Sequence, residues 1–208
     1  MDNPTQPPDV AQVLKHNRTQ LYQHIATRLT LAVALFAMPY AAHLVGYDAA
    51  LPAFGIPAAL FVLIFLALRL RHGSRLKACE KVLRTYPLEY RTRVVKKGSE
   101  WKYLGNVHTL RLTVRGQNGA PTLRALNAAT VRRWPKEAEK GGAWFAGDPA
   151  FGGVVIVPAS NDMLFVQPAD WAKYEQERAQ AEAHRRGLAE QAGISRLLEK
   201  EPNIMVGG

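Results

Sequence analysis

Two long apolar stretches dominate the first third of the chain. Between Arg28 and Asp48 it reads LTLAVALFAMPYAAHLVGY, between Asp48 and Arg69 it reads AALPAFGIPAALFVLIFLAL, and neither contains Asp, Glu, Lys or Arg. A helix of about 20 apolar residues crosses the ~30 Å hydrocarbon core of a bilayer. The pattern therefore predicts a transmembrane helical hairpin over residues 29–70, with spans at about 29–47 and 49–69. Gly46 suits the end of the first helix, Asp48 the N-cap of the second, and Pro52 its first turn, where a missing N–H donor is tolerated. Pro39 and Pro57 are expected to kink the spans. A cleavable signal peptide fits less well, because the first stretch starts after 28 residues and a second follows at once.

Residues 1–28 form a short segment in which Asp9 caps a helix and Val10, Leu14, Leu21 and Ile25 fall near one face. Such a helix either lies on the membrane surface or runs straight into the first span. Past the hairpin, residues 71–87 read as a basic juxtamembrane linker, and from residue 88 the period changes to two. In LEYRTRVV and HTLRLTVR apolar and polar residues alternate, as in half-buried antiparallel strands. Asn118-Gly119 is a hairpin-turn pair, and TLRALN is placed to return as a third strand. Asn127 is a candidate cap for a short helix ending at Trp134-Pro135, before three further strands, AWFAG, GVVIVP and MLFVQ. Six short strands and one small helix over residues 88–168 predict a small, mostly antiparallel β domain, an OB-like or SH3-like barrel or a rolled sheet. Its expected core includes Trp144, Phe145, Val155, Val157, Leu164 and Val166. Residues 169–208 read as a C-terminal helix capped by Asp170, with a thin apolar stripe of Trp171 and Tyr174, so that it projects into solvent before Gly193 and a tail.

The charge is as unevenly spread as the hydropathy. The 208-residue chain carries a net +10, but residues 71–134 alone hold fifteen Lys and Arg against Glu80, Glu89 and Glu100, a net +12. Bases precede the first span and follow the second, and the connecting turn has none, so the positive-inside rule places both termini in the cytoplasm of an inner or plasma membrane. The polar face of the first three strands is basic: Arg91, Arg93, Arg111, Arg115 and Arg124, with Lys96, Lys97 and Lys102 in nearby turns. Three readings of that face are open. It is a solvated surface that blocks edge pairing, or a patch held against anionic headgroups, each base attracted by roughly 1 kcal/mol. The third reading, nucleic acid, draws on Trp101, Tyr103 and Trp134 as stacking platforms but has no recognition motif behind it. In the tail, Ile194, Leu197 and Leu198 form a candidate apolar patch for a partner or a second copy of the chain.

Catalytic signatures are missing. The chain has no G-x-S-x-G, H-E-x-x-H, C-x-x-C or G-x-x-x-x-G-K-[ST], its six histidines are scattered, and its single cysteine, Cys79, forms no intrachain disulfide. Cys79 follows the second span closely enough that juxtamembrane acylation enters as an option. Gly147 and Gly152 have the glycine spacing of a phosphate loop, but a β-branched strand follows in place of a helix and no lysine is present, so GGAWFAGDPAFGGVVIVP reads as a hairpin. The layout resembles that of uncharacterised bacterial two-span integral membrane proteins with a small cytoplasmic β domain. The resemblance is architectural, covers most of the chain and transfers no site residues. The expectation is a non-enzymatic membrane protein without cofactor or metal, a scaffold that recruits a protein partner or a second copy of itself at the inner leaflet, with no small-molecule substrate evident. The alternatives are a membrane-anchored nucleic-acid binder acting in DNA transfer and an accessory subunit of a transport or secretion complex. The last would use His43, the only ionisable side chain inside the spans.

Overall fold

A computed structural model describes residues 6–46, 50–69, 71–102, 105–113, 121–129 and 134–196. Helix α1 runs from Val10 to Leu44 without a break, with the Asp9 carboxylate accepting from the Ala11 N–H at 2.9 Å. The N-terminal segment therefore continues directly into the apolar stretch. At 1.5 Å per residue its 35 residues make a rod of about 52 Å. Helix α2 (Ala50–Arg69) runs back along α1. Small residues permit the close approach: Ala32 and Ala59 are buried, and a Cβ on Gly55 would sit 2.8 Å from the Leu35 carbonyl oxygen. Helix α1 is long and apolar enough to cross a membrane, whereas the described apolar part of α2, Phe54–Ala67, is shorter. Among the described residues there is thus one helix of spanning length where two were expected. Pro39 and Pro57 both lie inside these helices, and Asp48 falls outside the described residues.

Helix α3 (Arg71–Thr85) occupies the expected linker and leads into seven strands: β1 (Glu89–Arg91), β2 (Arg93–Lys102), β3 (Gly105–Thr113), β4 (Thr122–Asn127), β5 (Ala143–Asp148), β6 (Gly152–Val157) and β7 (Asp162–Pro168). Their order is β1-β5-β6-β7-β4-β3-β2, antiparallel throughout. The sheet curls into a half-barrel, but its ladder ends at β1 and β2, which Thr92 alone separates, so the expected closed barrel is not formed. The bend at Thr92 is also why the first predicted strand divides in two. A short helix, α4 (Glu137–Gly141), lies after Pro135, while the helix expected to end at Trp134 falls largely outside the described residues; Asn127 closes a turn, its Oδ1 accepting from the Ala129 N–H at 3.0 Å.

Strands β5–β7 are buried on both faces, which explains their near-continuous apolar runs. Successive side chains point to opposite sides of a strand. Phe145, Val155, Val157, Leu164 and Val166 face into the curl with Val94, Leu110, Leu112 and Leu123. Trp144, Ala146, Val154, Ile156, Met163 and Phe165 pack outward on Val13 and Leu21 of α1, Leu76, Cys79, Val82 and Leu83 of α3, and the C-terminal helices. Each large apolar side chain so buried contributes about 1.5–3 kcal/mol. Asn17 fixes the seat of α1. Its Nδ2 donates to the carbonyls of Val13 at 2.9 Å and Asn161 at 2.7 Å, and its Oδ1 accepts from the Met163 N–H at 3.4 Å. Glu80 of α3 adds a clasp between Arg18 at 2.6 Å and Arg84 at 2.7 Å. Desolvation pushes its carboxyl upward, but the two guanidinium groups outweigh this and hold it below the usual value.

The C-terminal segment is not one projecting helix. It divides into a 3₁₀ turn (Ala172–Tyr174), α5 (Glu175–Gln180) and α6 (Ala183–Ala192), broken where Ala181 turns extended. Asp170 does cap its start, accepting from the Lys173 N–H at 3.0 Å. Both helices grip the β5–β6 turn. Asp148 is held by Arg185 at 2.8 and 3.0 Å, and Arg178, stacked 3.8 Å over Trp171, donates to the Ala150 carbonyl at 3.1 Å. The glycine-rich stretch is the hairpin expected, with Gly147 opposite Gly153 and Asp148 opposite Gly152. A Cβ on Gly153 would meet the Ala146 carbonyl oxygen at 2.2 Å, so close backbone approach accounts for that glycine.

Two outcomes follow from this packing. Asn17→Ala leaves buried backbone groups unpaired and is expected to lower stability by about 1–3 kcal/mol, read as a lower thermal midpoint in detergent. Burial pushes the Cys79 thiol up to about 12, and burial, then the Asp148 carboxylate, push the Tyr86 hydroxyl up to about 12. Unfolded, these groups ionise near 8.5 and 10, so their stabilisation is complete below about pH 8.5 and is lost as pH rises toward 12. The thermal midpoint should fall across that window, with a shallower fall in Cys79→Ala. A native thiol that reacted readily with maleimide at neutral pH would contradict the buried placement.

Candidate functional site

Among the described residues the helices pack outward on β5–β7 and on Tyr90 of β1, and their apolar cluster takes no residue of β2–β4. On the outer side of β2–β4, where Val107 and Leu126 are buried toward one end, the register gathers three of the expected arginines. Arg93 stands opposite Thr113, Arg111 opposite Val95 and Thr122, and Arg124 opposite Thr109. Arg93 and Arg111 are exposed and Arg124 is half-buried. Arg111 Nε donates to Thr122 Oγ1 at 3.1 Å, which orients one guanidinium along the surface. Threonines and Val95 flank the arginines on neighbouring strands, and Tyr103 falls outside the described residues.

The other expected site residues separate from that face. Arg91 lies over the Phe145 ring at 5.6 Å, is paired with Glu89 and keeps a side-chain exposure of only 12%, so it packs the curl. Lys97 is exposed, as the extra residue of a β-bulge between Lys96 and Gly98. Ile194 is fully buried beside Ala189 and Ala192 and presents no docking patch, while Leu197, Leu198 and Arg115 fall outside the described residues. Cys79, fully buried, offers no thiol for acylation. Asp148 and Asp162 pair with opposite ends of β6, at Gly152 and Val157, and form no carboxylate dyad.

The bulge produces a feature that sequence periodicity missed. In a regular strand, residues three apart point to opposite faces. With Lys97 looped out, Lys96 faces Leu110 and Ser99 faces His108, so both lie on the concave side of the half-barrel. There they line a cavity of about 420 Å³ with His108, Trp134 and, from the α4 segment, Lys136, Glu139 and Lys140. His108 packs its ring edge against Trp134 at 5.3 Å, and Lys96 Nζ lies 5.9 Å from the centre of the indole. Trp134 is 7% exposed, and its Nε1–H is buried with no acceptor among the described residues. None of the three lysines forms an ion pair among the described residues. The available sequence signal was the charged stretch from Trp134 to Lys140, with two lysines and two glutamates, whose link to β2 depends on the fold. Among the described residues no cluster of His, Cys, Asp and Glu could hold a metal ion.

Compared with protein-family models, curated proteins and solved structures, the chain has no match in any of the three.

The roles assigned to the two arginines at the bend separate experimentally. Arg91→Ala removes packing on Phe145 and is expected to destabilise by about 1–2 kcal/mol, whereas Arg93→Ala on the outer surface should stay within about 0.5 kcal/mol, both measured by denaturant unfolding.

Proposed function

We propose that this protein is a non-enzymatic membrane anchor for a basic recruiting module. In this reading α1 and α2 cross the inner membrane as a hairpin, with both termini and the β domain in the cytoplasm. The outer Arg93, Arg111 and Arg124 face then meets anionic headgroups and a protein partner held at the leaflet, singly or as an oligomer.

One observation carries the reading. The same continuous helix that is riveted to the β domain at Asn17 bears a sheath of exposed apolar side chains farther along. Among the described residues every exposed large hydrophobic except Tyr22 falls between Leu29 and Ile64, including Val33, Phe36, Leu44, Phe54 and Phe61. Water penalises so large a contiguous apolar surface, and lipid does not. The described apolar part of α2 is short, but its tight packing on α1 makes it the returning half of the anchor. Because α1 is a single rod, the domain has a fixed seat relative to the membrane. His43 is exposed on the outside of the hairpin, which gives a proton relay no enclosed path and disfavours the transport reading.

Two measurements test this. The protein should stay with the membrane fraction after alkaline carbonate extraction; release into the supernatant would sink the anchor. Crosslinking in native membranes should capture a reproducible partner or a second copy, with yield reduced several-fold in Arg93→Ser/Arg111→Ser/Arg124→Ser at unchanged thermal stability. Equal capture by the variant would remove the recruiting role from this face. Steeply salt-dependent DNA binding by the purified protein would move it to nucleic acid.

A further inference from the structure

We infer that the cavity between the β2 bulge and α4 is a binding site for a small phosphomonoester, chemically separate from the arginine face. Its volume of about 420 Å³ falls within the ~300–1,000 Å³ typical of small-molecule sites. Lys96, Lys136 and Lys140 converge on it from two elements. Surface lysines scattered for solubility have no reason to line one concavity, and here three do so against a single acid, Glu139, with no ion pair among the described residues. Three ammonium groups supply more donors than a carboxylate can accept, and they match the several oxygens of a dianionic phosphate. Trp134 is the second, independent pointer. It lines the cavity and its buried indole N–H has no acceptor among the described residues, an unfavourable state that an anion oxygen within reach would relieve. Ser99 adds a hydroxyl donor at the mouth.

Glu139 refines the choice of ligand. A carboxylate among the lysines repels a bare phosphate but accepts from a neighbouring hydroxyl. The site therefore suits a phosphate carried on a polyol, such as glycerol 3-phosphate, over inorganic phosphate. The same group occurs free in the cytosol and in phosphorylated lipid headgroups, and the chemistry of the cavity is common to both. The bulge keeps the site assembled, since without it Ser99 would leave the concave face that Lys96 occupies.

The test uses full-length protein in a non-ionic detergent at low salt, titrated by calorimetry with glycerol 3-phosphate and with inorganic phosphate. Saturable binding with preference for the ester is expected. Lys96→Ala and Lys136→Ala should each weaken it about tenfold, and the double variant more. Lys97→Ala, which removes an equal charge just outside the cavity, should change it by less than about twofold. Glu139→Gln should narrow the preference over inorganic phosphate. Unfolding midpoints of all variants establish that they fold, and the triple arginine variant should bind the ester normally, which separates this site from the membrane-recruiting face. Flotation with vesicles containing phosphatidic acid identifies the source. Lysine-dependent vesicle binding stronger than that of the soluble ester assigns a lipid headgroup, and the reverse assigns a free metabolite. No saturable binding of either soluble probe at millimolar concentration, or equal weakening by Lys97→Ala and Lys96→Ala, would overturn the proposal.

Discussion

Burial of β5–β7 on both faces is the constraint from which the rest of this structure follows. Val154 and Ile156 point away from the curl as apolar as Val155 and Val157 point into it, so this part of the sheet is unstable unless something covers its outside. Helices α1, α3 and α6 do so. Two of them adjoin the apolar hairpin in the chain, and the third is brought back by the grip of Arg178 and Arg185 on the β5–β6 turn. The N-terminal part of the long apolar helix α1 is itself part of the core, and pulling it away would expose Met163 and Phe165 to water.

The same constraint sets the two chemically distinct surfaces. The apolar cluster of the helices that cover β5–β7 takes no residue of β2–β4, and a sheet face without a second layer must be polar to remain in water. Arg93, Arg111 and Arg124 with Thr109, Thr113 and Thr122 meet that requirement over the exposed part of the face, beside Val95 and the buried Val107 and Leu126. Placing arginines on an exposed, open sheet also discourages pairing with a second sheet edge. The concave face has no such need, because the curl already shields it. Lysines gathered at its open end therefore call for a different explanation from the arginines outside.

Much of the architecture was legible in the sequence. The apolar stretch after Arg28, the period-two strands, the Asp9 and Asp170 caps and the glycine hairpin all rest on local chemistry, and each is present in the fold. What escaped depends on long-range packing. The C-terminal segment reads as an exposed helix because Trp171 and Tyr174 are its only large apolar pair, yet Ala189 and Ala192 of α6 are buried in the cluster that holds α3. Ile194 looks adhesive in isolation for the same reason that it is a good core residue. Thr92 carries no turn signature, so the bend that splits β1 from β2 is set by the two strands that claim its flanks, β5 and β3. Arg91 and Arg93 look equivalent along the chain and lie on opposite sides of that bend.

The bulge at Lys97 shows most directly how one residue alters the chemistry a sequence can express. Strict alternation would have put Lys96 and Ser99 on opposite faces and left the α4 lysines with no counterpart. Inserting a residue restores the phase two positions later, so His108 and Leu110 of β3 meet Ser99 and Lys96 on one side. A bulge also increases local twist, which turns this end of β2 toward α4. The packing of Ala138 and Trp134 into the core holds the α4 segment there, so Lys96, Lys136 and Lys140 share one concavity with Glu139. In the proposed reading, the enclosure of three bases and one acid in a single concavity, and not the number of charges, distinguishes this site from the three arginines of the outer face.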